Sequence, residues 1–436
     1  MSDPPEAPPA TGNGGDDSSP PSRRRRSKIF PGWNIAGAGM VIAFYVDGVG
    51  FWGFSGFFRE IIREFSWDRT VAAVAPSLQR LQSGVLAPIT GMMIDRWGPR
   101  HTMMLGFFVS GAGFMLLSRI ENLWQYYLSF VLIAFGLSAG SFIVIAAALN
   151  NWFVRKRGRA ISFLILGPGL SGALGGIWIL IIPIFGWRDT LLVAGLGFWV
   201  VCMPLAYLVM KDKPEPYGYL PDGDEPGSEA PAEGAAGGGE APVLPIRTIL
   251  RDRGYWQYVG ASALNSASFA VVTFAADALD SYGFSNFIAG SIFIFGFALP
   301  SLPARLAAGW MADNFDKRLI FGGSLGLQMA GTLLFAAATV PWMAFVAAAM
   351  VGMGIGTNSP ARLSLQAEYW GRSVFGRLSG IQMGISSIPA ILAPVFVGFM
   401  FDTSGSYRLA FALLTVPLTM SVLLALTIPR PSWALR

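Results

Sequence analysis

Long apolar runs alternate with short polar breaks along almost the whole chain. The first six lie near residues 33–58, 70–94, 101–118, 123–152, 160–184 and 187–210. A polar stretch from Lys211 to Pro245, rich in Pro, Glu and Gly, interrupts them. Six more follow near 255–281, 286–312, 318–340, 342–367, 375–401 and 407–428. A helix needs roughly 20 residues to cross a hydrocarbon core of about 30 Å, and each run meets that need. None shows the short alternating segments of a membrane barrel. The pattern predicts an all-α membrane protein of twelve transmembrane helices in two six-helix halves. The halves span 29–210 and 253–428, joined by a linker over 211–252 and flanked by tails at 1–28 and 429–436.

Composition agrees and narrows the class. Of 436 residues, 53% are hydrophobic and 13% charged, against about a quarter charged in soluble domains. Residues 1–28 are polar, end in Arg23 to Arg26 and Lys28, and lack the apolar core of a signal peptide. The net charge of +5 comes from basic residues scattered in short loops, so nucleic acid is not an expected partner. The lone Cys202 sits in an apolar run and the lone His101 in a loop. No catalytic triad, metal-ligand cluster or phosphate loop is visible, so neither an enzyme nor a bound cofactor or metal is expected. The glycine-rich stretch Gly167 to Gly172 lies inside a span, where helix packing explains it.

The distribution of positive charge sets the orientation. With the N-terminus inside, 22 of the 31 Lys and Arg fall on the cytoplasmic side, 6 outside and 3 within spans. Cytoplasmic enrichment of Lys and Arg is the topological rule for membrane proteins. Both termini are therefore expected in the cytoplasm of a cell bounded by its plasma (inner) membrane. The halves also repeat. Gly91, Met93, Asp95 and Arg100 recur 218 residues later as Gly309, Met311, Asp313 and Arg318. Trp152, Gly158 and Arg159 recur at the same offset as Trp370, Gly376 and Arg377. Six spans per half leave the halves parallel, an arrangement that places a solute site at the midplane between them.

The loop Gly91-Met92-Met93-Ile94-Asp95-Arg96-Trp97-Gly98-Pro99-Arg100 resembles the cytoplasmic motif of the major facilitator superfamily. In this reading Gly91 allows two helices to approach, and Asp95 meets basic groups or a helix N-terminus in one conformation only. Gly91, Asp95 and Arg100, with Gly309, Asp313 and Arg318, are the expected conformational latch. The second copy departs from the pattern, with Asn314 for the basic residue and Asp316 for the glycine.

A narrower resemblance is to the monocarboxylate-porter family. Trp152-Phe153-Val154-Arg155-Lys156-Arg157-Gly158-Arg159-Ala160 is similar to that family's motif at the fifth helix. Phe30-Pro31-Gly32-Trp33 keeps only the Gly-Trp of its first-helix motif. Ala304-Arg305, followed by Gly309, resembles the membrane arginine that holds the substrate carboxylate. The family's proton-coupled members have an Asp one turn before that arginine, where this chain has Ser301, and a first-helix lysine, whose place here is Trp52. The resemblance thus implies an anion clamp, with symport open to question.

Charges inside spans cost roughly 2.5–3.5 kcal/mol each on insertion scales and so point to function. Arg305, eight residues or about 12 Å before Asp313, lies near the midplane. Arg80 belongs to a helical stripe of small and polar residues with Pro76, Gln79, Ser83 and Gly84. Arg305, Arg80, Asn265, Ser301 and Trp52 are the candidate substrate contacts. Asp47 and Asp277 are the candidate proton carriers, with an ion pair to Arg80 or Arg305 as the ordinary alternative. Ser262, Asn265, Ser266 and Phe269 form a further stripe suited to a cavity wall, while Arg362 and Glu368 are expected to snorkel to the cytoplasmic surface. The function expected is secondary transport of a small organic anion, the family implying a monocarboxylate, with a proton as the candidate co-substrate. The carrier is expected to work as a monomer in the lipid bilayer. Export or antiport of another metabolite or drug-like compound is the alternative, and three arginines within the spans weigh against a cationic one.

Overall fold

The computed structural model describes residues 30–154, 156–217, 219–223, 246–371 and 374–430. The tail 1–28, residues 224–245 of the linker and residues 431–436 lie outside the described residues. Everything described is helix or short connection, with no strand among the described residues. Among the described residues, nine helices are long and apolar enough to cross a membrane. They are Pro31–Phe65, Leu123–Trp152, Gly158–Phe185, Trp187–Leu208, Arg253–Ser281, Asn286–Ala312, Lys317–Ala336, Arg377–Ser404 and Tyr407–Leu426. Helix also runs through the other three expected spans. Arg69–Val85 and the first part of Ala87–Leu117 form the second, the rest of Ala87–Leu117 the third, and Pro341–Trp370 the tenth.

Local chemistry sets the ends. Pro31 and Pro341 stand in the first helical turn, where a missing N–H costs nothing. Asp252 caps the seventh span through the amides of Gly254 and Tyr255, and Asp316 caps the ninth through that of Arg318. Partial burial pushes the Asp316 carboxyl up, but hydrogen bonds from Arg430 and the Arg318 amide prevail and hold it below the usual carboxylate range. The second and third spans part at Gly98, whose φ of 79° and ψ of 163° suit glycine alone. A Cβ there would also lie 2.9 Å from the Asp212 carboxyl carbon. The motif glycine is thus required twice over, by its backbone angles and by the linker carboxylate beneath it.

The repeat seen in sequence is a repeat of tertiary bonds. Arg100 donates to the Tyr207 carbonyl at 2.6 Å, and Arg318 donates to the Ile428 carbonyl at 3.1 Å. Each thereby ties the start of the third helix of its half to the end of the sixth. Trp152 and Trp370 are both buried and both donate from the indole, to the Lys211 carbonyl and to Asp252, each at 2.8 Å.

The ends of the bundle differ. The end carrying the connections at 98, 153 and 316, here called the basic end, is spread, whereas the far end is packed across both halves. One apolar core joins Phe54, Phe58, Trp52 and Ile179 of the first half to Phe274, Phe293, Phe297 and Tyr407 of the second. A separate core around Tyr255, Tyr258, Phe321 and Trp370 belongs to the basic end of the second half alone. Large apolar side chains such as Ile184, Val200, Leu306 and Val416 remain exposed on the helices, as they must where the solvent is lipid.

Candidate functional site

The far end is closed by polar bonds between the halves. Arg69, first residue of the second span, donates from Nε to Asp277 Oδ2 at 2.7 Å and to the Tyr407 hydroxyl at 2.8 Å. Its guanidinium carbon lies 3.9 Å from the centre of the Phe401 ring, a cation–π geometry. Tyr407 also donates to Asp277. Asp402, in the eleventh span, accepts from the amides of Arg69 and Thr70 at 3.1 and 2.8 Å and from the Thr70 hydroxyl at 2.6 Å. A carboxylate of one half thus caps a helix of the other. Arg63 pairs with Asp280, and the Ala276 amide donates to Ser55 Oγ at 3.0 Å. Backbones also meet here, since a Cβ on Gly176 would stand 2.6 Å from the Gly290 carbonyl oxygen. Asp277, expected in sequence as a proton carrier, is therefore a member of this gate, and its ionic partner among the described residues is Arg69.

Below the gate lies a cavity of about 550 Å³ between the halves. Asp47, Trp52, Gln79, Ser301 and Arg305 line it, and Thr90, Gly91 and Ile94 line it toward the basic end. Asp47, Trp52, Ser301 and Arg305, singled out from sequence as proton or substrate contacts, are thus brought together. A π-helical turn over Gly48–Trp52 follows Asp47 and shifts the register of the first span. Trp52 leans on Phe51 and on Phe293 and Phe297 of the eighth span. Ser301, at the position where the resemblance implies an acid, directs its hydroxyl to the Ala298 carbonyl at 2.8 Å and the Gly169 carbonyl at 3.2 Å. Arg305 donates from Nη1 to the Ile165 carbonyl at 3.1 Å, reaching across the interface, while its Nε has no hydrogen-bond partner. Asp47 is the carboxylate that acts on it electrostatically. Arg80 lies in the helix Arg69–Val85, but its side chain is outside the described residues.

Arg305 also lines a second cavity, of about 340 Å³, within the second half. Ser262, Asn265 and Ser266 line it as the sequence stripe anticipated, with Asn358, Arg362 and Gln382 opposite. Arg362 does not snorkel. It donates to Gln382, also bonds Tyr258, and faces this cavity, because buried polar partners give its guanidinium what the membrane surface would otherwise supply. Glu368 pairs with Lys317 at the basic end. Sequence reasoning passed over Asn358 and Gln382, although polar residues deep in apolar runs are themselves a signal.

The latch residues are apart in this conformation. A Cβ on Gly91 or Gly309 would meet nothing within 4 Å, so the close approach expected at Gly91 is not made. Asp95 is exposed and bonds to no group among the described residues. Arg100 and Arg318 serve the ties within their own halves, and the Asp313 side chain is outside the described residues. The reason is common to all. The basic ends are spread around an open cavity while the far ends are closed.

Comparison with known proteins places this architecture. The description of the Major Facilitator Superfamily matches residues 40–299 and 280–434. The chain is 25% identical over 412 residues to human Monocarboxylate transporter 11, covering 88% of this chain and 79% of the relative. It is 24% identical to bovine Monocarboxylate transporter 13, covering 84% and 80%. It is 22% identical to the uncharacterized MFS-type transporter YcxA of Bacillus subtilis, covering 83% and 86%. A solved bacterial homologue of the human lysosomal transporter Spinster, described as inward-facing and occupied, superposes with a TM-score of 0.69 at 13% identity. It covers 90% of this chain and 95% of that one, and so supports the fold. The chain belongs to the major facilitator superfamily, a multi-pass membrane transporter among whose relatives are monocarboxylate transporters.

Proposed function

We propose that the protein is a secondary carrier of a small organic anion, a monocarboxylate in the class its relatives' names suggest, which it moves by rocking its halves about Arg305. The observation that carries this reading is Arg305 itself, a permanently charged fork near the middle of the bundle, with an Nε donor unpaired beside a cavity. A guanidinium there can hold a carboxylate through two parallel hydrogen bonds. Among the described residues Asp47 and Arg305 are the acid and base that line the larger cavity, and we read a proton on Asp47 as the companion of an anion on Arg305. Both would then cross together, which is one route to symport despite Ser301 and Trp52. Asp277 supports a second route, because a proton on its carboxylate removes the charge that holds Arg69 in the gate. The alternative of an apolar or drug-like cargo draws on the mostly apolar wall of the larger cavity, whereas a cationic cargo is disfavoured by the guanidinium groups of Arg305 and Arg362.

Purified protein in liposomes tests this. Uptake of a short monocarboxylate should exceed that of protein-free vesicles and should rise when an inward proton gradient is imposed. Transport of cationic compounds with no response to any carboxylate would overturn the anion reading. Anion uptake indifferent to the gradient would remove the proton alone.

The basic end is cytoplasmic in this reading, with both termini there, since the charge excess of the sequence lies on that side. The state described is then inward-open. A cysteine introduced in the 211–245 stretch should resist an impermeant maleimide in intact cells and react after permeabilisation. Labelling in intact cells would reverse the orientation.

A further inference from the structure

The smaller cavity has features that a simple one-carboxylate site does not explain. It is lined, among the described residues, by two guanidinium groups, Arg305 and Arg362, and by no carboxylate. Among the described residues Arg362 forms no ion pair, its hydrogen bonds going to the neutral Gln382 and Tyr258. A charge within a span is costly unless paired or solvated, and a second cation facing the same chamber adds repulsion. The wall also holds polar groups without partners. Ser262 and Asn265 are 7% and 9% exposed, yet Ser262 Oγ and Asn265 Oδ1 have no hydrogen-bond partner among the described residues, and neither has Arg305 Nε. Buried polar atoms left this way carry a desolvation penalty, so they suit a polar ligand that can partner them. The serine hydroxyl and the carboxamide, which can turn its NH₂ inward, are both donors suited to an anion.

We infer that this chamber is a second anion subsite, and that the substrate is a dicarboxylate with one carboxylate at Arg305 and the other at Arg362. The inference rests on the anion-carrier reading and refines its substrate class from one carboxylate to two. Arg305 stands in the lining of both cavities and so fixes the first carboxylate at their junction. The second half then offers Arg362, with Ser262 and Asn265 beside it, to the remote end. A substrate with a single carboxylate and an apolar tail would leave all three unmatched, and a polar site rejects an analogue lacking its partner group.

The test uses full-length protein in detergent with two probe series, acetate to butyrate and malonate to glutarate, read by competition and by melting temperature. At least one dicarboxylate should bind tenfold or more tightly than the monocarboxylate of equal carbon number. Arg362→Gln, which keeps hydrogen-bonding capacity without charge, should erase that preference by weakening the dicarboxylates at least tenfold more than the monocarboxylates. Arg362→Lys should restore part of it. If dicarboxylates bind no better than monocarboxylates, including the case in which neither binds, the inference fails. It fails equally if Arg362→Gln weakens both series by the same factor, or neither. Arg305→Ala separates the underlying reading, because binding of monocarboxylates undiminished in that variant would remove the anion clamp itself, whatever Arg362 does.

Discussion

Arg305→Ala is expected to abolish carrier activity while leaving a folded protein. The guanidinium makes one hydrogen bond to the chain, to the Ile165 carbonyl, and has no salt bridge within the usual contact distance among the described residues. Asp47 acts on it through space. Truncation therefore removes one neutral acceptor's partner, worth on the order of 0.5–1.5 kcal/mol net, and leaves Asp47 beside open cavity rather than sealed in apolar surroundings. The expected loss in melting temperature is small, whereas the loss in substrate affinity is large. A charge-assisted, two-pronged bond contributes roughly 1.5–3 kcal/mol per hydrogen bond. Two such bonds lost would lower affinity by about a hundredfold or more. Arg305→Lys should fall between, keeping the charge and losing the fork. A stable alanine variant that binds substrate at full strength would sink the clamp. An unstable one, rescued by removing the Asp47 carboxylate as well, would recast the pair as structural.

The gate should shift under mutation in opposite directions at its two ends. Asp277→Asn weakens the ionic bond to Arg69 and the bond from Tyr407, and it should favour the state open at the far end. Losing charge-assisted bonds of roughly 1.5–3 kcal/mol moves a two-state population by about ten- to a hundredfold. Asp95→Asn should do the reverse. Its carboxylate makes no bond in the conformation described here, so its neutralisation can cost only the other state. Two reporter cysteines read the balance, one replacing Ala276 beneath the gate and one replacing Ile94 on the open cavity. The natural Cys202 is buried and should stay silent. Asp277→Asn should speed labelling at 276 and slow it at 94. Unchanged labelling at both positions would show that these carboxylates do not set the equilibrium.

The architecture was legible in the sequence because its determinants are local. Run lengths give helices, and the matched pairs Asp95/Asp313 and Trp152/Trp370 give the repeat. Arg305 was legible for a related reason, since a charge deep in an apolar run stands out without any knowledge of its neighbours. The gate was not. Arg69 and Asp402 are 333 residues apart and each sits at a span end, where a charge is unremarkable. Asp277 could be flagged as a buried acid, yet its partner lies in the other half, and only the fold brings them together. Arg362 was assigned to the surface by its distance from the end of its helix, a measure that ignores which way the helix face points. The π turn at Gly48–Trp52 likewise has no local signature, and it sets which residues of the first span look into the cavity.

The helix end that Asp402 caps has a consequence for the cost of opening. When the halves part at the far end, the amides of Arg69 and Thr70 lose their carboxylate, but they emerge into water, which can replace each bond as it breaks. The same holds for Arg63 and Asp280, which are already half wet. A closure made of such bonds is tight against leakage while it stands and shallow as an energy well, because each bond contributes only the difference between protein and water as partner. What opening must expose is the apolar core behind these bonds, where Phe58 meets Phe274 and Trp52 meets Phe297, so that core and not the polar rim sets most of the cost. In the rocking proposed above, the rim bonds therefore seal the far end against leakage while adding little to the work of opening it.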